Sequence, residues 1–503
     1  MSYKDGDNSK NGLSDIRKAV DNVKKYGVVN GTKKSIEDSK LIKFDYEEYR
    51  KKNEPSYDIL EQQKREGFIF EPLISVLLLV KNRDSMYARE TLESILKQTY
   101  HNMELCVLTT KENEQVKRAL DEFCNDVHKI NYICADEIVN YSQGMNKLLE
   151  RANGDFVALV DCNDIITPDA IYENVRMLNK NERVDVVYSD EDYFNSLGEY
   201  FSPMFKTAYN LDLLRSCNYI GNLFMVRKST ADRVGGFDES YDCEQKYDFI
   251  FRCIEQSENT KHVPKVLYHN RVLSNEDVKL TEYRNTIKKI IIEEHLRRKN
   301  IVAEVEPTEH IGMFRINYRL LETPKVTVVI DKKGSDAQLK ACINSIKTHT
   351  IYRNYEIVVR YDSNVRVSTD AEYVLLLDST MRVTTSNFIE IMLARIVQGD
   401  AGIVAGKIVD KNNRICYAGI RLNKNQVKYL FRGMPMWQEG YCCRAILQQD
   451  VDAAPIYGIM LKKDDYEDMS KGEIVDNVDV KLIYKIRKSK RFVMFEPNVI
   501  FKN

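Results

Sequence analysis

The chain has no apolar stretch long enough to cross a bilayer. Its longest, Ile74 to Val80, is seven residues including a serine, against the roughly 20 that a spanning helix needs. It has no apolar core behind its N-terminus, where MSYKDGDNSKNG is polar throughout, so no secretory signal is expected. Its eleven cysteines are odd in number, scattered and without a Cys-x-x-Cys pair. That excludes a disulfide framework and a structural zinc site, and points to reduced thiols in a cytoplasm. Neither sign of charge is in excess: 75 Lys and Arg stand against 76 Asp and Glu, a net charge of −1. No global field therefore draws the chain toward nucleic acid. No phosphate loop of the Walker or dinucleotide type is present. The single tryptophan, Trp437, and the pair Cys442-Cys443 carry no chemical pattern and read as packing residues.

What is there is a soluble α/β protein of several domains. Over 503 residues, 43% are hydrophobic and 30% charged, which is ordinary for globular chains. Residues 1–40 are polar and lysine-rich. Ile16, Val20 and Val23 recur there at helical spacing behind Ser14, giving a short amphipathic helix. Its basic face, Arg17, Lys18, Lys24 and Lys25, is either a solvated helix face or a contact for an anionic membrane surface. From Phe70 onward short apolar strands alternate with helical segments, the rhythm of a mostly parallel sheet covered by helices. Much of this is written twice. Leu73–Thr110 and Lys325–Asn364 align as strand, helix and strand, with Ser94-Ile95 matching Ser345-Ile346 and Asn102-Met103-Glu104 matching Asn354-Tyr355-Glu356. A strand ending in an acid follows each copy, at Asp161 and Asp378. The first acid lies 57 residues after Glu104, the second 22 after Glu356, so the second copy lacks roughly 35 residues.

Ligands of an open α/β sheet sit at the carboxyl ends of its strands. Acids gather there in the first copy, at Asp161-Cys162-Asn163-Asp164, and acids and a lysine share the block Gly235 to Arg252. Carboxylates placed just past buried strands call for a partner, and a divalent cation is one; capping of the next helix is another. The order ISVLLLVKN, ESILKQTY, YSQGMNKLLERANGDFVALVDCND, YSDEDYF, FKTAYNLDLLRSCNYIGNLFMVR, VGGFDE, YDFIFR and HVPKVLYHNR resembles bacterial family 2 glycosyltransferases. The likeness is greatest to the tandem-domain kind associated with surface polysaccharides, and it runs from Phe44 to Asn503.

The resemblance implies a duplicated GT-A fold, a nucleotide-diphospho-sugar α/β sandwich, behind a short helical extension. It also implies inverting transfer of a sugar to a glycan or lipid-linked acceptor. The implied metal ligands are Asp161, Asn163 and His269; the nucleotide-sugar contacts are Asn82, Thr110, Asn146, Lys81 and Glu191; the catalytic block holds Lys246, Asp248, Glu244 and Asp242. Besides Leu79, which stands where the family usually has proline, four positions depart from the family pattern. Asn163 replaces the second acid of the metal motif, Thr109-Thr110 replace an Asp pair, Lys246 stands where the base is expected, and Lys81 replaces an aromatic residue. All four make the cleft more positive, and a protonated lysine cannot take the acceptor's proton. The implied cofactor is Mg²⁺ or Mn²⁺ on a weakened site. The alternative is metal-free transfer, with Lys246 and Lys81 as counter-charges for a diphosphate and Asp242 or Glu244 as base. A further alternative is an inactive scaffold that binds a glycosyltransferase or a glycan.

In the second copy Asp378-Ser379-Thr380 replaces the metal motif, and Asp476-Asn477-Val478-Asp479 puts an amide at the base position. That copy is expected to be structural or acceptor-binding. Expected domains are 1–69, 70–320 and 321–503. The expected setting is the cytoplasm or the inner face of the membrane, with a nucleotide sugar and an acceptor as partners, no nucleic acid, and self-association as a role for the second domain.

Overall fold

A computed structural model describes residues 45–81, 85–111, 113–123, 129–137, 140–181, 183–241, 243–272, 278–362, 365–398, 400–423, 426–469 and 474–503. The lysine-rich helix expected near Ser14, and Asn82 and Asp242, lie outside the described residues. Among the described residues no helix is long and apolar enough to cross a membrane. The chain divides into two compact units, residues 1–209 with 220–287, and residues 210–219 with 288–503.

The first unit is built on the strands β1 (Ile74–Leu79), β2 (Met103–Thr110), β3 (Lys129–Ala135), β4 (Phe156–Asp161), β5 (Ile165–Ile166), β6 (Val186–Phe194), β7 (Tyr200–Met204), β8 (Met225–Arg227) and β9 (Thr260–Arg271). They hydrogen-bond in the order β3-β2-β1-β4-β8-β6-β9-β5, with β7 on β6. β1 to β4 are mutually parallel, and β8 runs antiparallel between β4 and β6. Every residue of β1 is buried, which is why this strand reads as one apolar run: both faces of a parallel sheet are covered. The order reverses between β1 and β4, the switch point where a ligand crevice opens. Leu79 pairs with Asp161 there.

The second unit repeats this topology. Tyr355–Arg360, Val326–Asp331, Tyr373–Asp378, Ile459–Lys462, Ala401–Val409, Phe492–Lys502 and Arg382–Val383 follow one another in its main sheet. That is the first order without β3, and the pairings keep their senses. Even the register agrees: Ile74 pairs with Met103 and Phe156, as Val326 pairs with Tyr355 and Tyr373. Between Arg360 and Tyr373 the described residues form neither helix nor strand, so the segment that carries β3 and the helix Tyr141–Arg151 has no counterpart.

One buried acid shows why the repeat survives in sequence. Glu104, fully buried, accepts from Ser75 Oγ at 2.7 Å, Asn153 N at 2.6 Å and Asn131 Nδ2 at 2.7 Å. These donors hold its carboxyl below the usual range although burial pushes the other way. In the second unit Thr327 Oγ1 donates to Glu356 at 2.7 Å from the matching position.

Candidate active site

β4 ends at Asp161, and the chain turns at once, with Asp164 N donating to Asp161 O at 3.1 Å. Thr91 Oγ1 closes the turn by donating to the carbonyls of Cys162 and Asp164, at 2.6 and 2.7 Å. Asp164 is thereby turned inward, where Tyr268 Oη donates to it at 2.6 Å and Arg271 N at 2.8 Å. Burial, with the Asp161 charge beside it, pushes the Asp164 carboxyl up to about 7.

The helix Gln245–Glu255 presents Lys246 to this turn. Its ammonium bonds the Asp161 carboxylate directly and lies 3.1 Å from Asn222 Oδ1. The Tyr141 ring centroid is 5.9 Å from Nζ, and burial, then Asp161, pushes the Tyr141 hydroxyl well up. The lysine expected in place of a base and the first acid of the expected metal motif thus form one ion pair.

A second set of bonds holds Asn222. Glu191, buried, accepts from Asn222 N at 2.9 Å and from Lys206 Nζ at 3.1 Å. Gly221 has φ +62°, and a Cβ there would stand 2.7 Å from both Glu191 carboxylate oxygens. Glu191 therefore braces this loop. Asn222 Nδ2 donates to Asn270 Oδ1 at 2.6 Å, and Asn270 Nδ2 donates to Asp192 O at 2.9 Å. His269 joins the same strand through Nδ1, 2.5 Å from Asp192 Oδ1, with its ring edge-on to Tyr200 at 4.8 Å. Tyr46 Oη donates to the other Asp192 oxygen at 2.6 Å.

Asn146, Asp248 and Glu244 are engaged by the protein itself. Asn146 clamps a backbone, donating from Nδ2 to Phe237 O at 2.9 Å and accepting from Phe237 N at 2.7 Å. Asp248, fully buried, takes Arg252 Nε at 2.7 Å, and Arg252 donates to the carbonyls of Val234 and Gly236. Glu244 accepts from Arg284 Nε at 2.8 Å. Lys81 and Thr110 stand half-buried at the ends of the first two strands, at the crevice side of the sheet. Asn222, Tyr268 and Tyr141 were not expected. Each lies inside a segment that carries the family resemblance, but its partner, Lys246 for Asn222 and Asp164 for Tyr268, stands in another segment.

Asp161 carries the Lys246 ammonium where the first ligand of a divalent cation is expected, Asn163 gives its backbone carbonyl to Arg271 Nε at 2.8 Å, and His269 bonds Asp192 through Nδ1, an arrangement that metal-binding histidines share. Among the described residues no group of three or more His, Cys, Asp or Glu is placed to hold a metal. In the second unit the matching strand ends are closed by an internal pair: Arg360 bonds Asp331 through two nitrogens, at 2.5 and 2.7 Å, and Tyr457 Oη donates to Asp331 at 2.7 Å.

Residues 75–237 match the family Glycosyl transferase family 2. The chain is 27% identical over 469 residues to the uncharacterized protein y4gI of Sinorhizobium fredii, covering 83% of this chain and 51% of that protein. It is 24% identical over 432 residues to the O-antigen biosynthesis protein RfbC of Myxococcus xanthus, covering 78% and 34%. It thus spans about half the length of the first relative and a third of the second. The structure of S. aureus TarS 1–349 in complex with UDP-GlcNAc superposes with a TM-score of 0.37 at 18% identity, over 44% of this chain and 66% of that one. Residues 75–237, which carry most of the strands from β1 to β8, are thus where the chain is similar to glycosyl transferase family 2.

Proposed function

We propose that residues 70–320 transfer a sugar from a nucleotide-sugar donor to a glycan or lipid-linked acceptor, with inversion, in the synthesis of a surface polysaccharide, and that they do so without a divalent cation. The family match and the relative RfbC support the class of reaction. One observation carries the metal-free form: the Lys246 ammonium on Asp161. A divalent cation between two carboxylates sums to zero formal charge, and so does one ammonium against Asp161 and the neutral Asn163. The lost acid and the lower cation charge compensate. Lys246 then faces the leaving diphosphate as a fixed positive group, with Lys81 as a second.

In the transfer, the anomeric carbon's bond to the diphosphate oxygen breaks as the acceptor oxygen bonds to the opposite face, and the acceptor's proton passes to a carboxylate. The Glu244 carboxylate is already engaged by Arg284 Nε at 2.8 Å. Asp242, two residues earlier, takes that role. Asp248 and Asn146 act by positioning, through Arg252 and Phe237. Asn82 and Thr110 meet the nucleotide. Residues 321–503 serve the acceptor or assembly, and a lipid-linked acceptor would bring the protein to the inner face of the membrane.

The same ion pair also favours a second reading, a scaffold that binds without turnover, because it removes the expected base. A thermal-shift panel of nucleotides and nucleotide sugars, with and without EDTA, separates these. Stabilisation that survives EDTA and disappears in Lys246→Ala supports the metal-free donor site. A panel with no stabilisation at all sinks the donor reading. Binding without release of nucleoside diphosphate in the presence of acceptor leaves the scaffold.

A further inference from the structure

Trp437, the only tryptophan in the chain, does not pack as the sequence suggests: it is 57% exposed. It lies in the second unit, on a loop whose backbone is pinned at close intervals. Met436 N donates to Asn413 O at 2.9 Å, Gln438 N to Pro435 O at 3.0 Å and Ala445 N to Glu439 O at 2.8 Å. Met434 and Met436 pack against the core of that unit. Gly440, with φ +69°, comes so close to Phe431 that a Cβ would stand 2.7 Å from its ring. From Met436 to Tyr441 half-buried and exposed residues alternate, so Trp437, Glu439 and Tyr441 are the exposed members of one short stretch. The Glu439 carboxylate is held as well: Cys443 Sγ donates to one oxygen at 3.6 Å, and His310 Nε2 stands 3.4 Å from the other.

We propose that Trp437, Glu439 and Tyr441 form a binding site for an uncharged oligosaccharide. A sugar ring presents apolar C–H groups on its faces and hydroxyls around its edge. An exposed indole takes the face, and a carboxylate, an acceptor only, takes the hydroxyls in charge-assisted bonds. Because the loop is pinned and the carboxylate already held, little ordering remains to oppose binding. The Cα atoms of Trp437 and Tyr441, four residues apart, lie within about 14 Å of each other, a distance that a short oligosaccharide spans. A protein partner fits less well. Two aromatic side chains supply at most about 500 Å², a stable interface takes about 800 Å² from each side, and the nearby exposed residues Arg432 and Glu439 are charged. The Glu439 charge also disfavours uronic acids and phosphodiester-linked sugars. That this oligosaccharide is the acceptor rests on the proposed transfer; its binding here does not.

With one tryptophan in the chain, indole emission reports on this site alone. The full chain is titrated with chitotetraose, with maltotetraose and with the acidic tetramer of galacturonic acid. Expected is a saturable change in emission with a neutral tetramer and binding of the acidic one about tenfold weaker. By calorimetry, Trp437→Ala should lose the neutral sugar, and Glu439→Gln should bind it several-fold more weakly while narrowing the gap to the acidic tetramer, both at the wild-type melting temperature. If neither neutral tetramer changes the emission, or if Trp437→Ala binds as wild type does, the inference is overturned. Emission that changes instead on dilution of the sugar-free protein assigns the ring to a second copy of the chain and overturns it too. Should Trp437→Ala melt lower than wild type, Glu439→Gln, read by the same emission, decides. Oligosaccharide binding in a chain that no nucleotide sugar stabilises sinks the donor reading and leaves this site standing, and the reverse result sinks this site alone.

Discussion

The Lys246 ammonium lies against the Asp161 carboxylate, in the place where a family 2 site is expected to need a cation. If that pair stands in for a metal, then restoring both missing acids must create a metal site. The double variant Lys246→Asp with Asn163→Asp is expected to gain stabilisation on titration with Mn²⁺, about 2.7 kcal/mol at a hundredfold excess over its dissociation constant. The wild-type chain should gain none. Thermal unfolding across a Mn²⁺ series, with free Mn²⁺ followed by electron paramagnetic resonance, checks both. A double variant indifferent to Mn²⁺ would show that the cleft has lost more than these two charges.

Asp164 gives the first unit a pH signature. Its folded carboxyl, pushed up to about 7 by burial and by Asp161, keeps a proton that the unfolded chain releases near 4. The folded state therefore binds more protons between those values, and stability falls as pH rises from about 4 to 7. The effect is on the order of a few kcal/mol. Asp164→Asn cannot ionise, so its urea midpoint should lose this slope: close to wild type at pH 5 and higher than wild type at pH 8. Parallel slopes for both proteins would place the ionisation elsewhere.

Asn146 and Gly236 test a clamp. Gly236 has φ +71°, and a Cβ would stand 2.4 Å from Asn146 Oδ1. Gly236→Ala therefore meets both backbone strain and a clash, and should cost about 2–4 kcal/mol in urea unfolding. Asn146→Ala removes two bonds to the Phe237 backbone, for about 1–3 kcal/mol. With Asn146 gone the clash is gone too, so the double variant should cost less than the sum of the two single ones. Strict additivity would mean that the amide does not confine the glycine.

The strand frame was legible in the sequence because its determinants are local. β1 is one apolar run, and Glu104 and Glu356 recur after the same strand and helix because each satisfies a hydroxyl on the neighbouring strand. The site was legible as a set of strand ends, but not in what its polar groups face. Glu191 reads as a ligand contact because acids at strand ends often are. Whether such an acid turns to a ligand or to an amide depends on the close approach of Gly221, 30 residues later in the chain. Tyr268 meets Asp161 N across 107 residues, a partnership that no local pattern records. Lys246 was visible as a departure from the family, and only the fold shows which acid it meets.

Lys407 offers a test of the second unit alone. It is 3% exposed, and its ammonium has Met436 O at 3.4 Å as its hydrogen-bond partner, with no ion pair among the described residues. Burial by itself lowers it to about 8, so between roughly pH 8 and its ordinary value near 10.4 the unfolded chain holds the extra proton. Stability should rise with pH across that window and carry a penalty below it, on the order of 3 kcal/mol. Lys407→Met keeps the volume and removes the charge, as replacements of buried charges by apolar groups of similar size can do without loss. It is expected to raise the melting temperature at pH 7, with the gain shrinking toward pH 10. A variant that melts lower than wild type at pH 7 would mean that the ammonium has a stabilising partner the lone carbonyl does not account for.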